Sequence, residues 1–249
     1  MMSDKVTKDP ENKKEQKGQK DFRHGHRDRL RARFLKTDLD GVADYEVLEL
    51  ILFAAIPRRD VKPLAKLLIE HFSSFSGVMN AEVHDLLKVK GVSHNTVALI
   101  KAVKAAARLM VKEPVKDQSI LSSWDSLMDY LHLSMAHEKN EQFRILFLDR
   151  KNAVIADEVQ QTGTVDHTPV YPREVVKRTL ELGATAIILV HNHPSGDPEP
   201  SSSDIRMTDR LVDIASGMGV EVHDHVIVSR SGYKSFKTLG LLKKAEKDE

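Results

Sequence analysis

Cysteine is absent from this chain of 249 residues. Without thiols the protein can form no disulfide, offers no thiol nucleophile and cannot hold an iron–sulfur cluster or a Cys-based zinc finger. The zinc deaminases that need a Pro-Cys-x-x-Cys element are excluded for the same reason. These absences remove the thiol-based classes of enzyme and metal site.

A strong net charge and a long apolar run are also missing. The formal net charge is +1 at pH 7, so any contact with nucleic acid or membrane must come from a local patch. No segment approaches the roughly 20 apolar residues of a membrane span, and the longest candidate, residues 47–56, contains Glu49. Residues 1–22 lack the apolar core of a secretory signal, which predicts a disordered tail and a cytoplasmic protein.

The first half of the chain has a helical period. Apolar positions predict helices at residues 27–35, 45–55, 60–72, 81–89 and 94–110. Asp44 is expected to cap the second of these helices and Pro57 to stop it. We therefore predict an all-α domain over residues 23–112, followed by a polar, Pro-containing linker at residues 113–119.

The second half alternates strands with helices. Strands are predicted at residues 143–148, 154–159, 186–190 and 220–229, and helices at residues 123–137, 172–182 and 205–217. Gly183 is expected just after the end of its helix. This order predicts an α/β domain over residues 120–242, a mixed sheet with flanking helices, followed by a polar tail at residues 243–249.

The most informative segment is a His-x-His pair at the end of an apolar strand. Because residues i and i+2 of a strand point to the same side, His191 and His193 can reach one ion. Asp204 opens the next amphipathic helix and adds a carboxylate. Two imidazoles and one carboxylate leave the fourth position of a tetrahedral zinc open for water, which is typical of catalytic sites. The pattern predicts a Zn²⁺-dependent hydrolase with metal ligands His191, His193 and Asp204.

The same segment also has a plainer interpretation. A His-x-His pair at a strand end is common without a metal. The spacing of Ser201 and Asp204 fits a capping box, with Ser201 as the N-cap and Asp204 as an acid in the first turn. The two interpretations are compatible, because capping would fix the backbone that aims Asp204.

A second motif lies in the helical half. Residues 86–93 and the helix after them resemble a helix-hairpin-helix element, in which a hairpin containing Gly91 offers backbone N–H groups to a phosphate. The helix carries a row of basic residues at helical spacing: Lys101, Lys104, Arg108 and Lys112. Such a row could follow a DNA backbone with salt-sensitive affinity. The alternative is that Ser93, where the motif usually has a second glycine, only caps a helix with solvated lysines.

These motifs resemble those of known proteins. His-x-His, seven residues and then Ser-x-x-Asp match the JAMM motif of the MPN/Jab metalloproteases, and the surrounding sequence resembles the bacterial RadC family from about residue 27 to residue 242. The segments that carry this resemblance are residues 45–53, 56–58, 172–175, 191–196 and 224–228. The resemblance implies a JAMM/MPN, cytidine-deaminase-like mixed sheet with an N-terminal helix-hairpin-helix-like domain.

The resemblance also implies catalytic roles. Zinc on the three ligands would activate a water and polarise the scissile carbonyl of a peptide or isopeptide bond, and Ser201 would donate to the oxyanion. A glutamate at the first strand of the sheet would act as general base, and Glu141 stands there, two residues before Phe143. Glu138 and Glu158 are the alternatives, and an exposed carboxylate before a strand is the structural interpretation.

Several other residues receive weaker interpretations. His223 and His225 share a face of the last strand and are partners of the metal ligands, residues of a substrate cleft, or structural, with the structural role preferred for His223. His167 is given no role, and Arg173 either holds a carboxylate or caps a sheet edge.

Three functional hypotheses follow. The leading one is a zinc-dependent JAMM-type hydrolase acting on a protein or peptide substrate. The alternative is a DNA-associated protein of the repair or recombination type, in which the region around Gly91 contacts DNA and the metal is secondary. The third is a metal that only pins the strand to the helix. The ligand set would also accept other first-row ions.

Overall fold

The fold was obtained as a computed structural model, which describes residues 25–113, 119–120, 123–162 and 170–243. The chain divides into two compact units, one up to Ala105 and one from Ala106 onward. The described part of the first unit is helical, whereas the second contains a sheet with flanking helices, so the predicted fold class is confirmed. Within the described ranges, no helix is long and apolar enough to cross a membrane.

The first unit is built from short helices around one apolar core. They are α1 (residues 25–37), α2 (Asp44–Ala55), α3 (Lys62–Phe72), α4 (Phe75–Asn80), α5 (Val83–Lys88) and α6 (His94–Lys112), the last of which continues into the second unit. Its core includes Leu48, Leu52, Leu68, Leu86 and Ile100, all fully buried. The helical period predicts this core because each of these residues lies on the apolar stripe of its helix.

Two details of this unit differ from the sequence prediction. Asp44 is the first residue of α2 and not its cap; Ala43 is the N-cap, and its backbone N–H donates to the Glu46 carboxylate at 3.1 Å. The helix α4 was not predicted. It is short and begins at Ser74, whose hydroxyl accepts from the backbone N–H of Gly77 at 2.9 Å.

The second unit holds a five-stranded sheet. In chain order its elements are α7 (Trp124–Met135), β1 (Gln142–Leu148), β2 (Val154–Thr162), α8 (Pro172–Glu181), β3 (Ala186–Asn192), α9 (Ser202–Ser216), β4 (Glu221–Ser229), β5 (Gly232–Ser235) and α10 (Phe236–Leu239). The strand order is β2-β1-β3-β4-β5. Only the β3–β4 pair is parallel among these, so the sheet is mixed as predicted.

Alternation along β3 decides which side of the sheet carries the histidines. Ile188 and Val190 pack in the core that includes α7, and Ile187 and Leu189 pack in the core that includes α8 and α9. His191 continues the second series because side chains alternate along a strand. The imidazole therefore emerges on the side of the sheet that α9 covers.

The end of β4 contains structure that the sequence did not predict. β5 has only four residues and pairs with residues 226–229 of β4, and α10 follows directly. Asp224 joins these elements: it accepts from the Ser235 hydroxyl at 2.5 Å and from the backbone N–H of Lys237 at 3.0 Å. A buried carboxylate on β4 thus stabilises the start of α10.

Candidate metal centre

Three side chains from two elements converge at one end of the sheet. His191 closes β3, His193 follows it, and Asp204 lies in the first turn of α9. Nε2 of His191 lies 3.0 Å from Nε2 of His193 and 3.4 Å from Oδ1 of Asp204, and Nε2 of His193 lies 3.6 Å from Oδ2 of Asp204. The structure thus brings the predicted ligand residues together.

These separations test whether a metal fits. Bonds of 2.0–2.1 Å from a tetrahedral ion place neighbouring donor atoms about 3.3–3.4 Å apart. The separation of the two histidine nitrogens is shorter than that value, and the two separations to Asp204, measured to different carboxylate oxygens, equal it or slightly exceed it. Imidazole and carboxylate donors at such distances suit a small cation.

The hydrogen bond at the other nitrogen of His193 fixes its tautomer. Nδ1 lies 2.8 Å from the backbone carbonyl oxygen of Asp197, and a carbonyl can only accept. Nδ1 therefore carries the proton, and in the neutral ring Nε2 presents a lone pair toward His191 and Asp204. A backbone carbonyl behind a metal-binding histidine is a common orienting partner.

Asp204 is oriented by the N-terminus of its own helix. Ser201 is the N-cap of α9: its hydroxyl accepts from the Asp204 backbone N–H at 3.2 Å, as the capping box predicts. The Asp204 carboxylate in turn accepts from the Ser201 backbone N–H at 2.8 Å and from the Ser201 hydroxyl at 2.6 Å, both at Oδ2. Capping and ligand positioning are therefore the same set of contacts.

The charge balance of the centre favours a cation. Burial lowers the pKa of His191 to about 4, so this imidazole is neutral at pH 7. The interaction with Asp204 raises the pKa of His193 despite partial burial. Burial opposes the ionised form of Asp204, but His193, His191 and Ser201 together lower its pKa below the usual range. An ionised carboxylate beside two imidazole nitrogens attracts either a proton or a metal ion.

Glu141 lies next to this trio. Glu141 directly precedes β1, and the antiparallel pairing of β1 with β3 begins at Phe143 opposite His191. The carboxylate is close enough to contribute to the raised pKa of His193. The residue predicted as general base therefore stands beside the ligands.

The two alternative bases are placed differently. Glu158, on β2, accepts from Nη2 of Arg178 at 2.6 Å and from its Nε at 3.0 Å, so its carboxylate is committed to an ion pair with α8. Glu138 follows α7, and its backbone carbonyl accepts from Asn192 at 3.4 Å. The charge of Glu141, by contrast, helps to raise the pKa of His193.

Sequence reasoning overlooked Asn192, the residue between the two histidines. Its side chain is fully buried on the opposite face of β3. Its amide oxygen accepts from the backbone N–H of Gln142 at 2.8 Å, and its amide nitrogen donates to the carbonyl of Asn140 at 3.2 Å. Asn192 thereby holds the backbone on both sides of Glu141. The only signal in the sequence is an amide inside a buried strand.

The sequence leaves the role of His225 open, and the structure gives it a partner. The β3–β4 register shifts where Ile187 pairs with Val222 and Ile188 with Asp224, and His225 then lies beside Leu189. Its Nε2 is 2.8 Å from Nδ1 of His191. His225 is therefore a direct partner of a predicted ligand residue, which is one of the three roles considered for it.

The remaining residues of interest lie away from the trio. His223 is nine-tenths buried, and burial lowers its pKa, with Lys237 and Glu221 as charged neighbours, in line with a structural role. Arg173 is exposed and pairs with the adjacent Glu174 at 3.2 Å. His167 lies outside the described residues.

The hairpin motif of the first unit is held by contacts within the protein. Gly91 has φ of +98°, and its carbonyl accepts from Arg59 at 3.1 Å. The Ser93 hydroxyl accepts from the backbone N–H of Thr96 at 3.3 Å, so Ser93 caps α6. Lys101 donates to the carbonyl of Ala81 at 2.5 Å. DNA contact by Gly91 with the basic row Lys101, Lys104 and Arg108 stays a prediction.

A mixed sheet with two histidines at the end of a central strand and an aspartate at the start of the next helix defines a JAB/MPN-type domain. Residues 121–241 match the model of one such family, described as a RadC-like JAB domain. The chain is also 52% identical over 217 residues to the UPF0758 protein of Ruegeria pomeroyi, which covers 87% of this chain and 97% of that protein. The chain belongs to the RadC family.

Proposed function

We propose that this protein is a zinc-dependent hydrolase of the JAMM type that cleaves a peptide or isopeptide bond in a protein or peptide substrate. The observation that carries the proposal is the trio His191, His193 and Asp204, whose donor separations suit a tetrahedral ion. Three protein ligands leave one coordination position for water or substrate, which distinguishes catalytic from structural zinc.

The residues divide the work of amide hydrolysis. A bound zinc ion would supply a Lewis acid and a water of lowered pKa. Glu141 lies outside the ligand set and its charge acts on His193, so we assign it the role of general base, which would take a proton from the attacking water and return it to the leaving amine. Asn192 keeps this carboxylate in place through the backbone of residues 140 and 142.

Ser201 has two tasks in this scheme. Its hydroxyl donates to Oδ2 of Asp204 at 2.6 Å and so orients a ligand. A hydroxyl has a single proton, so donation to an oxyanion requires it to turn away from Asp204. If a metal ion balanced the charge of Asp204, this carboxylate would keep a partner when the Ser201 hydroxyl turns toward the oxyanion.

The decisive variant is Glu141→Gln, which keeps the shape of the side chain and removes its basicity. We expect zinc to bind at about one ion per chain as in the wild type, and hydrolysis of peptide and isopeptide substrates to fall about 10²–10⁴-fold. Metal content and single-turnover cleavage of a peptide library measure the two effects separately. Glu158→Gln is the matched control, because that carboxylate is paired with Arg178.

Two outcomes would contradict the proposal. Hydrolysis by Glu141→Gln at the wild-type rate would remove Glu141 as the base. A wild-type protein with one zinc per chain and no cleavage of any peptide or isopeptide bond would leave a structural metal, for which chelation lowers the melting temperature without an activity to lose.

A further inference from the structure

A chain of hydrogen bonds runs behind His191, away from the metal position. Nδ1 of His191 lies 2.8 Å from Nε2 of His225, and Nδ1 of His225 lies 2.6 Å from the hydroxyl of Thr208 on α9. That hydroxyl donates to the backbone carbonyl of Asp204 at 2.6 Å. The chain thus begins at one ligand residue and ends at another.

The protons in this chain can be placed from its far end. The carbonyl of Asp204 can only accept, so the single hydroxyl proton of Thr208 lies between these two groups. Thr208 must then accept from Nδ1–H of His225. A neutral imidazole with a proton on Nδ1 has a lone pair on Nε2, so His225 accepts from Nδ1–H of His191. Nε2 of His191 is left with its lone pair toward the metal position.

The surroundings keep both rings in place. His191 and His225 are about 1% and 0% exposed, and such burial disfavours a charged ring. The ring of His225 stacks on Phe236 with centroids 4.5 Å apart, and Phe143 lies 6.0 Å away at an angle. Thr208 is 1% exposed, so water does not compete for these contacts in the folded protein.

We propose that Thr208 and His225 are positioning residues: they hold His191 in the Nδ1–H tautomer, so that Nε2 is ready to bind the metal before it arrives. The inference deepens the proposed function and rests on it in taking the trio as a metal centre.

The chain of bonds also couples the two elements that carry the ligands. His191 belongs to β3 and Asp204 to α9, and the path through His225 and Thr208 joins them without passing through the metal position. With a metal bound, the ligands and the hydrogen bonds would close a ring. Loss of one of these hydrogen bonds should therefore allow both tautomers of His191 and also weaken the attachment of α9 to the sheet.

The protein contains two buried threonines that give a matched pair of variants for a test. Thr208→Val keeps the volume of the side chain and removes the hydroxyl. Thr179→Val removes the same type of buried hydroxyl from α8, where it donates to the carbonyl four residues earlier at 2.8 Å. We expect zinc affinity, measured by competition with a chelator, to fall about 10–100-fold in Thr208→Val and to stay unchanged in Thr179→Val. Thr208→Ser restores the hydroxyl and is expected to restore the affinity.

A second readout needs neither metal nor activity. The ¹⁵N and ¹H shifts of the imidazoles distinguish the two tautomers. The metal-free wild type should show Nδ1–H on His191 and on His225, and Thr208→Val should show both tautomers of His225. An Nε2–H tautomer of His191 in the metal-free wild type would overturn the inference.

Equal loss of zinc affinity in Thr208→Val and Thr179→Val would also overturn it, because it would indicate a general loss of packing. These results separate the inference from the proposed function. If the wild type binds zinc with the expected tautomers but cleaves nothing, the positioning role stands and the hydrolase fails. If the wild type cleaves its substrate and Thr208→Val binds zinc with normal affinity, the hydrolase stands and the positioning role fails.

Discussion

Two histidines of the centre differ in chemistry although they are two residues apart. His191 is fully buried, and its pKa is lowered to about 4, whereas His193 is partly exposed and its pKa is raised by Asp204. The difference comes from what lies behind each ring: a neutral histidine for His191 and a backbone carbonyl for His193. Residue type and spacing alone predict two equivalent ligands, and the environment separates them.

At this scale we predict a loss of stability of the metal-free protein as pH falls from about 6.5 to about 4. In the unfolded chain His191 takes up a proton near pH 6.5, but the folded site resists protonation until about pH 4, so acid favours unfolding. His225 acts in the same direction. His193 has a raised pKa, so its contribution to stability is complete below pH 6.5 and changes only at higher pH, outside this window. Asp204 titrates below this window.

Urea denaturation in the presence of a chelator at pH 7 and pH 4.5 measures this effect. The share of His191 in the free energy of unfolding is about 3 kcal/mol over the whole window. His191→Asn has no group that titrates here, so its stability should vary less with pH. Equal pH dependence in the variant and the wild type would contradict the prediction.

At the scale of elements, the N-terminus of α9 combines a helix cap with a ligand. The Ser201 hydroxyl accepts from a backbone N–H and donates to the Asp204 carboxylate. Removing it should therefore cost both stability and metal affinity. A cap at an ordinary helix should cost stability alone.

Ser201→Ala is therefore expected to lower the free energy of unfolding by about 1 kcal/mol and to weaken zinc binding several-fold. Ser74→Ala is the control, because Ser74 caps α4 through the same hydroxyl contact in the other unit. It should lose a similar amount of stability in its own unit and bind zinc as the wild type does. Calorimetry and chelator competition give the two quantities, and normal zinc affinity in Ser201→Ala would argue against the double role.

The elements also explain which predictions succeed from sequence. The strand that ends at His191 and the helix that starts after Ser201 have strong apolar periods and a capping signal, so both were predicted close to their observed bounds. β5 and α10 have four residues each and depend on pairing with β4 and on Asp224, which no local pattern encodes. The Asp44 prediction failed because the carboxylate of Glu46 satisfies the backbone at Ala43.

The candidate metal centre also contains some residues that a local pattern predicts and others that depend on distant contacts. Its three proposed ligand residues lie in one short motif and are predicted from their spacing, whereas Glu141 is predicted from a family resemblance. Asn192 and Thr208 act through partners that are 50 and 17 residues away in the chain. Such contacts follow from strand register and helix placement, which a single sequence does not specify.

At the scale of the whole molecule, the two units have separate cores, and the three proposed ligand residues all belong to the second unit. A ligand that binds only the folded state stabilises what it is attached to, by about 2.7 kcal/mol when its concentration is 100 times the dissociation constant. Metal binding should therefore stabilise the second unit and leave the stability of the first unit unchanged.

Hydrogen exchange of the full chain with zinc and with a chelator tests this separation. Zinc should slow exchange of the amides in β3, β4 and the first turns of α9, by up to about 100-fold where exchange requires unfolding of the unit. Amides of α2 and α3 should exchange at the same rate in both conditions, since their core contains no ligand residue. Zinc-dependent protection of α2 or α3 would mean that the units unfold together, and protection absent from β3 would mean that the metal binds elsewhere.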